Sequence, residues 1–457
     1  MERFAGRLSR RQMLQGIGVA GATAVAGPAL LAACGGDNKS SDSGSATTAG
    51  GGSATTAAPV GDVGKQLAEM LKVDASKAGS GQSWNLGAVL ALSGNGSYYG
   101  KTMTRGIDLA VKHIAAAGGP SIKVQYKDHK SGDPAAGVNA VTELGTSKVP
   151  AKLASYGDDI GAMLEGTAQY KMFTFDPGGG TSVAFQKKPY FWGTRAITPF
   201  DALPGMFAWV KAAFPDAKTV GSAGWDGGEP ANTIGKEAFL KAIAAGGYEF
   251  NGLYELFAPN TTDYASILPK IKDNEPDVLM LGAYGQDPGN FMNQSLASGI
   301  KSTIIGFEFT PDGLSASRGA YDKGWTFSYD YFDPGSAASP LGKLFVSSFK
   351  EEYGEDPDFY AANFYESTLG MWDVYRRVLA KGGNVNSGDD LNNAFMENTQ
   401  LVSVYGGDAS TNGTLKLDPT THTVTQRTMG VFIYKDGKVT PQAFFDLNGA
   451  NFKLVNQ

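Results

Sequence analysis

The sequence predicts an α/β protein made of two doubly wound lobes, each a largely parallel sheet with helices on both faces. Short apolar runs alternate with segments of helical spacing along most of the chain. The alternation runs through once before residue 180 and starts again at Thr219. Residues 278–284 form a nearly continuous apolar run, as expected of a strand covered on both faces. Strands separated by helices imply right-handed crossovers and parallel pairing.

In order, residues 86–92 read as the first buried strand. Residues 99–117 carry Met103, Ile107, Ala110, Val111 and Ile114 at helical spacing, and Gly118, Gly119 and Pro120 stop that helix. A strand at 122–126, a helix at 134–144, a strand at 152–155, a helix at 160–170 and a strand at 172–175 follow, then a turn at Gly178, Gly179 and Gly180. The second round comprises a strand at 219–223, a helix at 232–245 and a strand at 249–257. A helix at 264–272 has Asp263 as its expected N-cap. The apolar strand 278–284, a helix at 290–298 and a strand at 303–307 complete that round. Long helices return at 341–353 and 360–380. Strands at 431–434 and 439–445 are joined by Lys435, Asp436 and Gly437, a hairpin signal.

The start of the chain is different in kind. Arg10 and Arg11 precede a short, weakly apolar run that ends in Leu31, Ala32, Ala33 and Cys34. This order is similar to a twin-arginine export signal joined to a bacterial lipobox, so residues 1–33 read as a signal peptide and Cys34 as the lipidated first residue of the mature protein. The apolar run is too short and weak to span a bilayer. Cys34 is the only cysteine, so no disulfide forms within one chain. Residues 34–60 are mostly Gly, Ser, Ala and Thr and cannot bury enough apolar surface to fold. As a flexible tether they reach roughly 25–30 Å. Residues 61–83 read as a short helix, with Val63, Leu67, Met70 and Leu71 on one side, and a linker. The expected location is extracytoplasmic, with the membrane met only through the N-terminal lipid.

Composition narrows the function. Net charge is -6, and no basic cluster lies beyond the signal, which argues against nucleic acid as a partner. The three histidines, His113, His129 and His422, show no metal-ligand spacing and adjoin no nucleophile motif. The loop from Ser93 to Gly100 follows a strand and opens a helix, yet its glycine spacing departs from the dinucleotide fingerprint. A non-enzymatic chain without cofactor or metal is expected.

The order of segments carries a resemblance. Residues 87–94 with Tyr99, Gly100 and Gly106, residues 261–264, residues 276–282, and Tyr360, Ala361, Ala362, Tyr365 and Glu366 resemble successive stretches of the leucine/isoleucine/valine-binding family of ABC-transporter substrate-binding proteins. The likeness covers residues 84–457 and implies the type I periplasmic-binding-protein fold, with three chain crossings between lobes. These are expected near 197–200, 323–325 and 428–430, giving lobe one as 84–198 plus 325–428 and lobe two as 199–324 plus 429–457.

Ligands in open parallel sheets sit beyond the carboxyl ends of the strands, so the strand-end loops hold the candidates. The resemblance implies that Tyr99 lines the cleft; the alternative is an exposed loop aromatic. Asp158 and Asp159 stand where amino-acid binders often carry hydroxyl residues. They either cap the next helix or place an acid in the cleft. Gly179, Gly180 and Thr181 offer amide and hydroxyl donors, or form a loop that needs positive φ. In lobe two, Tyr284 ends the apolar strand and Glu308 ends the next. By resemblance, Glu308 pairs with a ligand ammonium; the competing reading is an internal pair with an Arg or Lys near the hinge. Trp225 is a further candidate, or a packing residue.

The resemblance implies a monomeric solute-binding lipoprotein that delivers a small-molecule ligand, a branched-chain or related amino acid, to an ABC permease and its ATPase subunits. A sensor of the same fold, a binder of an amide, urea-like compound or aromatic acid, and an exported enzyme are the alternatives.

Overall fold

The computed structural model describes residues 62–94, 96–155, 162–178, 187–195, 199–229, 231–337, 339–405 and 413–455. The expected signal, Cys34 and tether lie outside the described residues, as do Asp158, Asp159, Gly179, Gly180 and Thr181.

A short helix α1 (Val63–Met70) opens the described chain, and Val63, Leu67 and Leu71 join the core of lobe one. The first sheet contains β1 (Ser83–Leu90), β2 (Ser121–Asp128), β3 (Ala151–Ala154), β4 (Phe173–Asp176) and β5 (Phe191–Gly193). Its order is β2-β1-β3-β4-β5 and all pairs are parallel. The helices α2 (Ser97–Ala116), α3 (Pro134–Thr146) and α4 (Ala162–Gln169) connect its strands. Val89, Val141, Leu144 and Met172 form a small core on one face, while Leu86, Leu90 and Phe175 look into the main core. That split is the period of two expected of a strand buried on both sides.

Lobe two begins with α5 (Pro199–Ala213), a helix unread in the sequence because Pro204 lies inside it and interrupts the pattern. There follow β6 (Thr219–Trp225), α6 (Ala231–Gly246), β7 (Glu249–Phe257), α7 (Leu268–Asp273), β8 (Val278–Gly282), α8 (Asp287–Ala297), β9 (Thr303–Gly306), α9 (Pro311–Ser317) and β10 (Trp325–Asp330). In β8, Val278 and Met280 face one core and Leu279 and Leu281 the other.

The expected helix at 264–272 is shorter than predicted. Asp263 does not cap it: its Oδ1 accepts from Ala265 N at 2.9 Å in a local turn, and α7 starts at Leu268. Pro269 is tolerated only in the first turn of a helix, which fixes the start there. The second crossing is also displaced. Residues 325–330 pair in parallel with β9 and antiparallel with β14 (Met429–Lys435), so the chain leaves lobe two after Asp330 rather than at 323–325. Trp325 and Phe327 are fully buried in the lobe-two core, which holds that strand there.

The chain then returns to lobe one as α10 (Pro340–Tyr353), α11 (Phe359–Ala380), α12 (Gly388–Met396) and a small antiparallel sheet of β11 (Gln400–Val402), β12 (Thr414–Leu417) and β13 (Val424–Gln426). α11 packs along α2. A Cβ at Gly106 would lie 2.4 Å from the Ala361 carbonyl oxygen, so the absent side chain permits that approach. Finally β14, β15 (Lys438–Phe445) and β16 (Lys453–Leu454) extend the second sheet, whose order is β16-β15-β14-β10-β9-β8-β6-β7. The β14–β15 turn has positive φ at Asp436 and Gly437, as the sequence there predicts.

Candidate functional site

The carboxyl ends of β1 and β5 in lobe one and of β6, β8, β9 and β10 in lobe two supply one set of side chains. Tyr99 sits in the first turn of α2. The preceding loop is fixed by Asp128, which accepts from Leu92 N at 3.0 Å, and by Ser131, whose Oγ accepts from Gly96 N at 2.8 Å. A Cβ at Gly100 would come within 2.0 Å of the Ala91 carbonyl oxygen, so this helix start lies hard against the end of β1.

Tyr99 reaches across to lobe two. Its hydroxyl donates to Glu308 Oε1 and accepts from Gly285 N at 3.1 Å. Gly285 N also donates to Glu308 Oε1, at 2.7 Å. Both side-chain hydrogen bonds described for Glu308 thus end on one oxygen. Glu308 is only 4% exposed. Burial pushes its carboxyl above the ordinary value, while Tyr99, Gly285 and the Arg195 charge pull it back. Gly285 is held in turn by Thr310, whose Oγ1 donates to the Gly285 carbonyl at 3.1 Å and caps α9.

Tyr284 and Trp225 flank this point. Their rings meet edge to face at 5.3 Å. Trp225 Nε1 donates to the buried Asp287 at 2.7 Å, an arrangement that fits both packing and a cleft wall. The structure therefore brings Tyr99, Glu308 and Tyr284 to one edge and sets Trp225 against Tyr284.

Several residues at this edge were missed by sequence reasoning. Tyr360 packs on Tyr99 with ring centroids 5.1 Å apart. Arg195, just after β5, lies over both Phe359 and Tyr360 at 4.6 Å from each ring. Its Nε donates to Asp330 at the end of β10. Asp358 caps α11 through Ala361 N and accepts from Tyr98 and Thr102 hydroxyls at 2.9 and 2.8 Å. Among the described residues no Lys or Arg makes an ion pair with Glu308; the Arg195 charge acts on it from a distance, while Arg195 Nε donates to Asp330. A second buried network stands at the lobe-one side of the hinge. Arg427 Nη2 donates to Glu366 Oε1 at 2.6 Å and to Asn363 Oδ1 at 3.1 Å.

The histidines are tied into packing. His113 meets Tyr365 OH at 2.7 Å and His129 meets Ser155 Oγ at 2.8 Å, and burial lowers both imidazoles to about 4. His422 stacks on Trp192 at 3.9 Å. Among the described residues no group of three or more His, Cys, Asp or Glu is placed to hold a metal ion, and no helix is long and apolar enough to cross a membrane. The cleft can accept hydrogen bonds from a cationic donor, donate from a guanidinium, and cover apolar atoms with rings.

Comparison with known proteins agrees with this architecture. A search of curated proteins found no match. Among solved structures, a leucine-binding protein of Thermotoga maritima superposes with a TM-score of 0.67 at 19% identity, covering 79% of this chain and 98% of its own. A solute-binding protein of an ABC transporter from R. palustris, in complex with benzoate, gives 0.66 at 21% identity over 82% of this chain and 98% of its own. A fatty acid ABC transporter substrate-binding protein from Thermomonospora curvata gives 0.62 at 19% identity over 79% and 92%. The periplasmic binding protein family matches residues 83–438, most of the chain, and the protein belongs to that family.

Proposed function

We propose that this protein is the extracytoplasmic binding component of an ABC importer, tethered through a lipid on Cys34, and that it captures a small polar ligand of the branched-chain amino acid type between its lobes. The observation that carries the reading is the contact of Tyr99 with Glu308 and Gly285 across the lobes. That contact supports a site with an acid and a phenol between the lobes. A ligand ammonium beside Glu308 would give that buried carboxylate a charge partner and remove the burial penalty. Lobe closure about the crossings would then exclude water and present one closed shape to a permease. Binding can shift the open–closed balance only by its difference in affinity for the two forms.

The aromatic cluster of Tyr99, Phe359, Tyr360 and Tyr329 favours a second reading, an aromatic acid as ligand. Tyr329 stacks on Phe359 at 4.4 Å, and Phe359 meets Tyr360 at 4.3 Å.

Thermal unfolding of the protein, stripped of carried-over ligand, tests both readings. A ligand at about a hundred times its dissociation constant stabilises by roughly 2.7 kcal/mol, a shift of a few degrees. Leucine, isoleucine or valine should give that shift and Glu308→Ala should abolish it. A response to benzoates alone moves the assignment to aromatic acids. Silence to both classes refutes the importer-ligand reading.

A further inference from the structure

Arg195 is 2% exposed and lies just beyond the carboxyl end of β5, beside the lobe-crossing residue Asp330. Its Nε is used by Asp330, but its Nη1 is buried and has no hydrogen-bond partner among the described residues. A buried N–H without an acceptor costs about 1–3 kcal/mol, and more when charged. Native structures rarely keep such a group unless a ligand or water completes it. The Phe359 and Tyr360 rings each lie 4.6 Å from the guanidinium carbon and 4.3 Å from one another, so they crowd it from one side, and Tyr360 also hydrogen-bonds it, which leaves Nη1 as the donor that a further partner can meet. Its counter-charge is also shared, because Asp330 Oδ1 lies 3.6 Å from Arg427 Nε. Thr428 Oγ1 in the same crossing region has no hydrogen-bond partner among the described residues, so polar capacity is left open there.

We propose that Arg195 binds a planar anionic group of the ligand, a carboxylate, through Nη1 while Nε keeps Asp330. This rests on the cleft reading above and deepens it, because it assigns the acid end of the ligand to a residue at the hinge. The guanidinium fork matches a carboxylate in geometry as well as charge, which lysine does not. It also makes one side chain the link between the ligand and the last residue of β10, so that ligand binding reinforces a bond between the lobes. The amine end, where there is one, remains with Glu308. Aromatic acids and amino acids share the carboxylate, so the assignment holds for either.

The test compares matched pairs by calorimetry on the full-length protein: leucine with 3-methylbutylamine, and benzoate with benzamide. For whichever pair binds, the acid member should bind roughly 10- to 100-fold tighter than its partner lacking the carboxylate, the worth of a charge-assisted hydrogen bond. Arg195→Lys, which keeps the charge but loses the fork, should shrink that ratio about tenfold while the partner lacking the carboxylate binds as before. The wild-type ratio is informative even if the variant folds poorly. A wild-type ratio near one, or a ratio unchanged in Arg195→Lys, overturns the Arg195 assignment and leaves the cleft reading standing. If none of these four compounds and none of the common amino acids binds, the cleft reading fails and this one with it.

Discussion

Glu308 and Glu366 are both buried acids in one chain, and they are satisfied in opposite ways. Glu366 lies within α11 and uses both oxygens: Arg427 Nη2 on Oε1 at 2.6 Å, and Ser403 Oγ and Val404 N on Oε2 at 2.6 and 3.0 Å. Those partners belong to the same lobe or to the segment leaving it. Among the described residues Glu308 accepts two hydrogen bonds, both on Oε1, and one donor, Tyr99, comes from the other lobe. Burial is thus a poor guide to role. What separates a structural acid from a cleft acid is whether its partners stay in place when the lobes part.

The largest expected effect is on stability. Glu366→Ala leaves the Arg427 guanidinium buried beside a missing partner, and should lower unfolding stability by about 3–5 kcal/mol in urea titration. A loss below about 1 kcal/mol would break the comparison. Next comes a buried cation with only neutral hydrogen-bond partners. Lys152 is fully buried, and its Nζ meets Thr167 and Thr174 hydroxyls at 2.8 and 2.7 Å. Burial lowers it from 10.5 to about 7. Between these values the unfolded chain holds a proton that the folded one has released, so stability should rise with pH from about 7 to 10 and carry the full penalty below 7. Lys152→Met should flatten that rise, because it removes the group that titrates differently in the folded and unfolded chains. Both threonine hydroxyls keep their carbonyl acceptors, Met163 and Met172, and Asp176 keeps its bond from Gly178 N. Urea midpoints at pH 7 and 9 decide it; a slope unchanged in the variant refutes the assignment. The smallest effect on stability belongs to Glu308→Gln. It keeps the shape and an acceptor for Tyr99 and Gly285, so stability should change by less than about 1 kcal/mol. A loss as large as that of Glu366→Ala would place Glu308 among the structural acids.

Much of the fold was legible because it depends on local patterns. The run at Val278 to Leu281, buried alternately in two cores, and the Asp436–Gly437 turn carry their signals within a few residues. The expected crossing at 323–325 puts the strand Trp325–Asp330 in lobe one, whereas its membership is decided by pairing with Met429–Lys435, about a hundred residues away. Tyr99, Tyr284 and Glu308 were reachable as strand-end residues. Arg195 was not, because it meets Asp330 at a separation of 135 positions and nothing near it in sequence announces that pairing. Tyr360 reads in the sequence as a helix residue that carries the family resemblance and not as a site residue, since its contact with Tyr99 depends on how α11 lies against α2.

Asp330 ends the strand before the second crossing, Arg195 precedes the first, and Arg427 precedes the third. One carboxylate held between two guanidiniums therefore ties together the residues that lead into the three connections. Three separate strands of chain would allow the lobes to bend, twist and slide. Pinned together, they act like one axle: bending about it leaves the charges together, whereas twist or slip pulls buried opposite charges apart. The lobes are left with close to a single degree of freedom.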